Sequence, residues 1–203
     1  MPISNYIIGF APGLLRTYRT ALLLDLPEIL KHLPDSGSLL DVGCGTGLVS
    51  YEIARLRPAL NVTGIDIDEK SIERARSYSK LPNVRYEAKL LGDISEKYDC
   101  ISFMDLLHHV EETDATALIG ECLRLIKPGG WLFIKDIDRN GGYFSYFMDR
   151  FVSFATPVRL RTLAGIKDLA PTELSASFEK RKWKFPQPHL YLVLTPASPS
   201  APR

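Results

Sequence analysis

The sequence predicts an α/β fold built on a mostly parallel sheet, and three observations carry that prediction. From residue 38 onward short apolar runs alternate with longer amphipathic stretches, the pattern of strand–helix–strand units. The apolar runs are rich in Val, Ile and Leu without strict polar alternation, which suits strands covered on both faces. Two late runs, 177–185 and 189–194, are separated only by Pro186-Gln187-Pro188, a loop too short for a crossover helix, so they read as a closing antiparallel hairpin.

The candidate strands are 38–42, 61–66, 83–88, 98–104 and 131–136, with amphipathic helices at 48–57, 69–80 and 114–126. In the last helix Leu118, Cys122, Leu125 and Ile126 share one face, and Thr113 or Asp114 serves as its cap. Lys127-Pro128-Gly129-Gly130 then stops the helix and turns the chain into the next strand. Ahead of the sheet, 14–33 reads as one or two amphipathic helices interrupted near Pro27. After it, 141–163 carries Tyr143, Phe144, Tyr146, Phe147, Phe151 and Phe154, partly at helical spacing, which predicts a greasy helix. The chain is expected to form one domain, 1–203. It divides into a helical cap 1–35, a ligand-binding core 36–136, a helical cover 137–174, a hairpin 175–195 and a disordered, Pro-, Ser- and Ala-rich tail 196–203.

Composition narrows the function classes. A 203-residue chain with 45% apolar residues holds a core without staples, since a domain of this size buries roughly 70% of its unfolded surface. With 25 Lys+Arg against 24 Asp+Glu, it lacks the basic excess of a protein held by nucleic-acid phosphates, and no nucleic-acid partner is expected. Cys44, Cys100 and Cys122 are an odd set without C-x-x-C spacing, which argues against a disulfide framework or a zinc site; no metal is expected. No apolar run reaches the ~18 residues of a membrane span. The start, MPISNYIIGF, lacks a signal-peptide pattern, so a cytoplasmic location is expected. Basic charge is concentrated in 150–184, with eight basic and three acidic residues, either a solvated face or a site for an acidic group.

The chemistry points to Leu39-Leu40-Asp41-Val42-Gly43-Cys44-Gly45-Thr46-Gly47, between the first strand and first helix of the sheet. Glycines at alternate positions permit a tight turn whose main-chain N–H groups approach a ligand without Cβ interference. Leu48 stands where G-x-G-x-x-G needs its last glycine, so a nicotinamide-dinucleotide oxidoreductase is disfavoured. Asp66 ends the second strand, where a carboxylate can accept both hydroxyls of a ribose.

Four segments, LLDVGCGTG at 39–47, GIDID at 64–68, YDCISFMDLLHHV at 98–110 and LIKPGGWLFIKD at 125–136, resemble class I S-adenosylmethionine-dependent methyltransferases in order and spacing. The resemblance implies a seven-stranded sheet with a reversed last strand, helices on both faces and a helical lid after strand five. It implies S-adenosyl-L-methionine across the carboxyl ends of strands one, two and four. Carried over, Asp41, Gly43, Cys44, Gly45 and Thr46 form the turn around the methionine half, Asp66 holds the ribose and Ile67 flanks the adenine. Met104 and Asp105 lie beneath the sulfonium. One departure concerns the acid that in this family commonly ends strand three and meets the adenine amino group. Ala88 or Lys89 stands there, with Asp93 as a substitute.

Methyl transfer is an in-line displacement in which alignment supplies much of the acceleration, and a base is needed when the accepting atom carries a proton. The polar groups at strand ends are Asp105, His108, His109, Lys135, Asp136 and Asp138, of which Asp136, His109 and His108 are the catalytic candidates. A histidine pair after strand four also resembles a packing feature of the family. The aromatic run after strand five either packs its helix on the sheet or walls an apolar pocket; on the second reading the acceptor is small and hydrophobic or aromatic, with oxygen, carbon and nitrogen all open. Arg139, Arg150, Arg159 and Arg161 are candidates to grip an acidic group on it, and the same greasy, basic segment allows a weak membrane contact. A protein that binds the cofactor without turnover is the alternative.

Overall fold

The computed structural model describes residues 25–141, 159–184 and 187–197. The aromatic run at 143–154, the first 24 residues and the tail beyond 197 lie outside the described residues. Five helices are described: α1 (Leu26–Leu30), α2 (Leu48–Leu56), α3 (Glu69–Tyr78), α4 (Glu112–Leu125) and α5 (Leu163–Leu169). Seven strands accompany them: β1 (Gly37–Val42), β2 (Leu60–Asp66), β3 (Val84–Ala88), β4 (Tyr98–Met104), β5 (Ile126–Ile137), β6 (Leu174–Lys184) and β7 (Gln187–Pro196). None of the described helices is long and apolar enough to cross a membrane.

The strands form one sheet in the order β3-β2-β1-β4-β5-β7-β6. β1 pairs in parallel with β2 and β4, while β7 runs antiparallel to both β5 and β6. The reversed strand follows from the hairpin: a connection this short leaves β7 no way back to the other end of the sheet. β1 lies at the centre of the parallel part, where the order reverses, and open α/β sheets take their ligands outside the carboxyl ends of the strands at such a switch point.

Strand periodicity sorts the core into two layers. Leu40, Ile65, Phe103 and Ile134 face α4 and α5, burying Ile119, Cys122, Ile166 and Leu169. Leu39, Val62, Cys100 and Phe133 face α1 and α2, burying Ile29, Ile53 and Ala54. On the β3 side, α3 packs Ile72 and Ala75 against Tyr86.

Pro27 lies in the first turn of α1, where its fixed φ suits the helix and its missing N–H costs nothing; the part of the expected helical stretch before residue 25 lies outside the described residues. Two boundaries differ from the sequence expectation. α4 begins at Glu112, ahead of Thr113 and Asp114, with Glu111 at the cap position. The turn 127–130 lies inside β5: Ile126 pairs with Tyr98 and Trp131 with Cys100, so the intervening residues are looped out as a bulge.

Candidate functional site

The glycine turn joins the end of β1 to α2. Gly43, Gly45 and Gly47 have φ of +71°, +53° and +71°, the left-handed region. The N–H groups of Gly43 and Cys44 donate to the Ile65 carbonyl at 2.8 and 3.0 Å, tying the turn to β2. A Cβ on Gly43 would lie 2.6 Å from Leu106, and one on Gly47 2.5 Å from the Tyr86 ring, whereas one on Gly45 would meet nothing within 4 Å. Packing therefore demands two of the glycines, and the third faces open space. Tyr86 donates its hydroxyl to the Gly47 carbonyl at 2.9 Å, and Tyr78 donates to the Thr46 carbonyl. Cys44 is half-buried, and burial, with the charges of Asp41 and Asp66, pushes its thiol well above the usual range, which disfavours the thiolate that a nucleophile requires.

Asp41 is 2% exposed and supports this turn from within. Ser50 of α2 donates to one carboxylate oxygen and Ser102 of β4 to the other, the latter at 3.0 Å. Burial pushes its pKa up to about 6 against the pull of these two hydroxyls.

Asp66 is half-buried at the end of β2. Its Oδ2 accepts from the Gly45 N–H at 2.7 Å and its Oδ1 from the Asp68 N–H at 2.9 Å. A carboxylate offers about four lone-pair sites, so capacity for further donors remains. Beyond it Ile67 is 76% exposed and, after β3, Leu90 is 60% exposed, two apolar side chains at neighbouring strand ends. Ala88, Lys89 and Asp93 are all exposed, and Lys89 pairs with Glu87 at 2.5 Å.

The second half of the site joins β4 to β5. Met104 is buried at the end of β4. Asp105 follows with φ +56°, a conformation costing a residue with a Cβ about 1 to 2 kcal/mol, and its N–H donates to the Lys135 carbonyl at 2.8 Å. The Lys135 ammonium, 1% exposed, donates to Asp105 Oδ2 at 2.5 Å. Burial opposes ionisation of Asp105, but the charges of Lys135, His108 and His189 together hold its pKa below the ordinary carboxyl value. Its Oδ1 is buried with no hydrogen-bond partner among the described residues.

His108 and Asp136 form a buried pair. His108 Nδ1 lies 2.5 Å from Asp136 Oδ1, and the His108 main-chain N–H donates to Asp136 Oδ2 at 3.1 Å. The second oxygen contact fixes the carboxylate in the plane where it meets the ring. The His109 ring lies against that of His108 with centroids 4.0 Å apart and planes tilted by 51°; the residue remains open to solvent, while desolvation against its neighbours and the His108 charge lower its pKa. Asp138 is also buried but turns the other way, pairing with Arg181 at 3.1 Å.

Asp105, His108 and Asp136 each place a donor atom within 4.8 Å of the others, a spacing that a metal ion could bridge. Here His108 and Asp136 hold each other and Asp105 holds the Lys135 ammonium, so the cluster is an acid–base network with its own cation. The basic side chains described between 159 and 182 are likewise committed within the fold. Lys180 pairs with Glu28 at 2.8 Å, Lys182 with Asp25 at 2.7 Å, Lys167 with Glu179 at 2.9 Å, and Arg159 with Glu111.

The structure thus brings together Gly43, Cys44, Gly45, Thr46, Asp66 and Ile67 on one side, and Met104, Asp105, His108 and Asp136 on the other, with Asp41 beneath. Sequence reasoning missed Ser50, Ser102, Tyr78 and Tyr86 as supports of the turn. Tyr86 carried a signal, an aromatic residue in a short strand beside a glycine turn, but nothing in the spacing of the serines gave them away.

A family model described as "Methyltransferase domain" matches residues 14–185. The ubiquinone biosynthesis O-methyltransferase of Bordetella avium is 35% identical over 114 residues, which is 53% of this chain and 46% of that protein. The chain therefore spans about half the length of the curated relatives it matches. Among solved structures, the PH0226 protein of Pyrococcus horikoshii OT3 aligns with a TM-score of 0.73 at 21% identity, covering 89% of this chain and 91% of that one. Magnesium protoporphyrin IX methyltransferase from Synechocystis PCC 6803 with bound SAH aligns at 0.69 and 17% identity, covering 89% of this chain and 84% of that one. The sheet order, the glycine turn and the family match agree: this chain belongs to the methyltransferase-domain family of class I, S-adenosylmethionine-dependent enzymes.

Proposed function

We propose that the chain binds S-adenosylmethionine across the carboxyl ends of β1, β2 and β4 and transfers the methyl group to a hydroxyl of a small apolar or aromatic molecule. The observation that carries this is the contact between Gly45 and Asp66, at 2.7 Å, which sets an open glycine turn beside a half-buried carboxylate. The residues fit the cofactor. The turn offers bare main chain to the methionine half, Asp66 has acceptor capacity for ribose hydroxyls, and Ile67 with Leu90 provides exposed apolar surface for a flat base. When bound, the sulfonium supplies an electrophilic methyl group.

The chain's own contribution is alignment, charge and a base. Asp105, kept ionised by Lys135, sits at the floor of the crevice where it favours a cation above it. A hydroxyl carries its proton at neutral pH, so oxygen transfer calls for a general base. Asp136 holds Nδ1 of His108, which fixes the tautomer whose Nε2 accepts a proton and stabilises the imidazolium that results. Oxygen as the acceptor is supported by this pair and by the O-methyltransferase relatives.

Calorimetry with S-adenosylmethionine and with NAD tests the first half: the first is expected to bind and the second not. Transfer of labelled methyl is then measured on a panel of phenols and catechols against matched amines. Label in the hydroxyl series supports the reading. Label confined to amines overturns the acceptor, and binding with no label in the panel or a metabolite extract favours a non-catalytic binder.

A further inference from the structure

We propose that Arg161 is a positioning residue for the His108–Asp136 pair, an inference that rests on the base reading above. The turn bearing His108 runs from Leu107 to Val110 and, among the described residues, pairs with no strand. Arg161 spans it: Nη1 donates to the Leu107 carbonyl and Nη2 to the Val110 carbonyl, the latter at 2.7 Å. Two residues earlier, the Arg159 N–H donates to the carbonyl of His108 itself at 2.7 Å. The main chain of Arg161 is meanwhile fastened to the segment that directly follows Asp136. Its carbonyl accepts from the Arg139 N–H at 3.1 Å, and it bridges in parallel to Asp138, two residues beyond Asp136.

One residue thus ties the turn after β4 to the end of β5, and these are the two elements that carry the imidazole and its carboxylate. The named partners of the guanidinium are carbonyls, not carboxylates, so its work is geometric. A planar fork reaches two carbonyls of one turn at once; an ammonium on a flexible stem cannot hold both in a fixed plane. Nδ1 and Oδ1 lie 2.5 Å apart, and a pair this close loses its alignment if the turn relaxes by a fraction of an ångström.

The test uses Arg161→Ala, Arg161→Lys and His108→Gln in the full chain saturated with S-adenosylhomocysteine. The ring N–H proton of His108, identified by its loss in His108→Gln, is followed by NMR; a short N–H···O contact places it far downfield. Arg161→Ala is expected to move it upfield or abolish it, Arg161→Lys to restore it only in part, and cofactor affinity to stay within about twofold. With an acceptor in hand, kcat should fall on the order of 10- to 100-fold with KM little changed, and added guanidinium should recover part of the loss. An unmoved ring proton and unchanged turnover in Arg161→Ala, or in Arg161→Lys if the alanine variant does not fold, overturns the assignment. His108→Gln with undiminished turnover instead defeats the base reading, so the two failures are separable.

Discussion

The main-chain N–H of Gly45 donates to Oδ2 of Asp66 at 2.7 Å, across twenty-one positions of sequence, so the loop that would take the methionine half and the acid that would take the ribose are one unit. Parallel pairing of β1 with β2 creates this contact by placing Asp41 beside Gly64 and Val42 beside Ile65.

Asp66→Ala removes both this contact and the proposed acceptor for the ribose. Affinity for S-adenosylmethionine, measured by calorimetry, should weaken by on the order of 1 to 3 kcal/mol. Unchanged affinity would place the ribose elsewhere.

The glycines of the turn should separate by cause. Gly47→Ala puts a Cβ 2.5 Å from the Tyr86 ring and 2.8 Å from the Ala75 Cβ and adds the cost of its left-handed φ, and should lower stability by on the order of 2 to 5 kcal/mol in thermal unfolding. Gly45→Ala meets nothing within 4 Å and should cost only the left-handed φ, about 1 to 2 kcal/mol, yet lose cofactor affinity because its methyl projects into the open crevice. Equal binding losses in both variants would contradict that division.

His108→Gln and Asp136→Asn should each lower kcat on the order of 10²- to 10⁴-fold while S-adenosylmethionine still binds. Asp136→Asn keeps a side-chain oxygen for the main-chain N–H of His108 but loses the charge, so its loss measures stabilisation of the imidazolium. His109→Gln should cost far less, since His109 only leans on its neighbour at a 51° tilt and is exposed.

Stability should depend on pH in two opposed windows. Glu28, whose hydrogen bond from Lys180 outweighs its burial, is held at about 2 against an ordinary 4.5, so the stability it contributes is present above 4.5 and lost as pH falls toward 2. Asp41 is raised from 3.8 to about 6, so its contribution is present below 3.8 and is lost as pH rises through 6. Denaturant unfolding across pH 2 to 7 should show a rise and then a decline. Glu28→Gln should flatten the acid limb and Asp41→Asn the neutral one.

The strands were legible because each is a local apolar run between breakers, and a parallel strand needs no knowledge of its neighbour to look buried. The turn was legible for the same reason: left-handed φ at Gly43, Gly45 and Gly47 is a property of single residues. The start of β5 was misplaced because Lys127-Pro128-Gly129-Gly130 has the composition of a turn, and only pairing with β4 decides that the ladder opens before it, at Ile126 opposite Tyr98. The role of the basic run escaped notice for a related reason, since Asp25 and Glu28 lie about 150 positions from Lys180 and Lys182 in the chain.

By itself the sequence determined the alternation of elements, the reversed last strand, the glycine turn and the acid after it, because short-range sterics and the periodicity of burial set all of these. Only the tertiary structure decided which strand-end groups meet. His108 takes Asp136 as its partner, Asp105 takes Lys135, Asp138 is drawn off to Arg181, and Arg161 bridges two loops. Those pairings depend on sheet register and on where each loop returns, and tenths of an ångström between groups so distant along the chain leave no mark on its order.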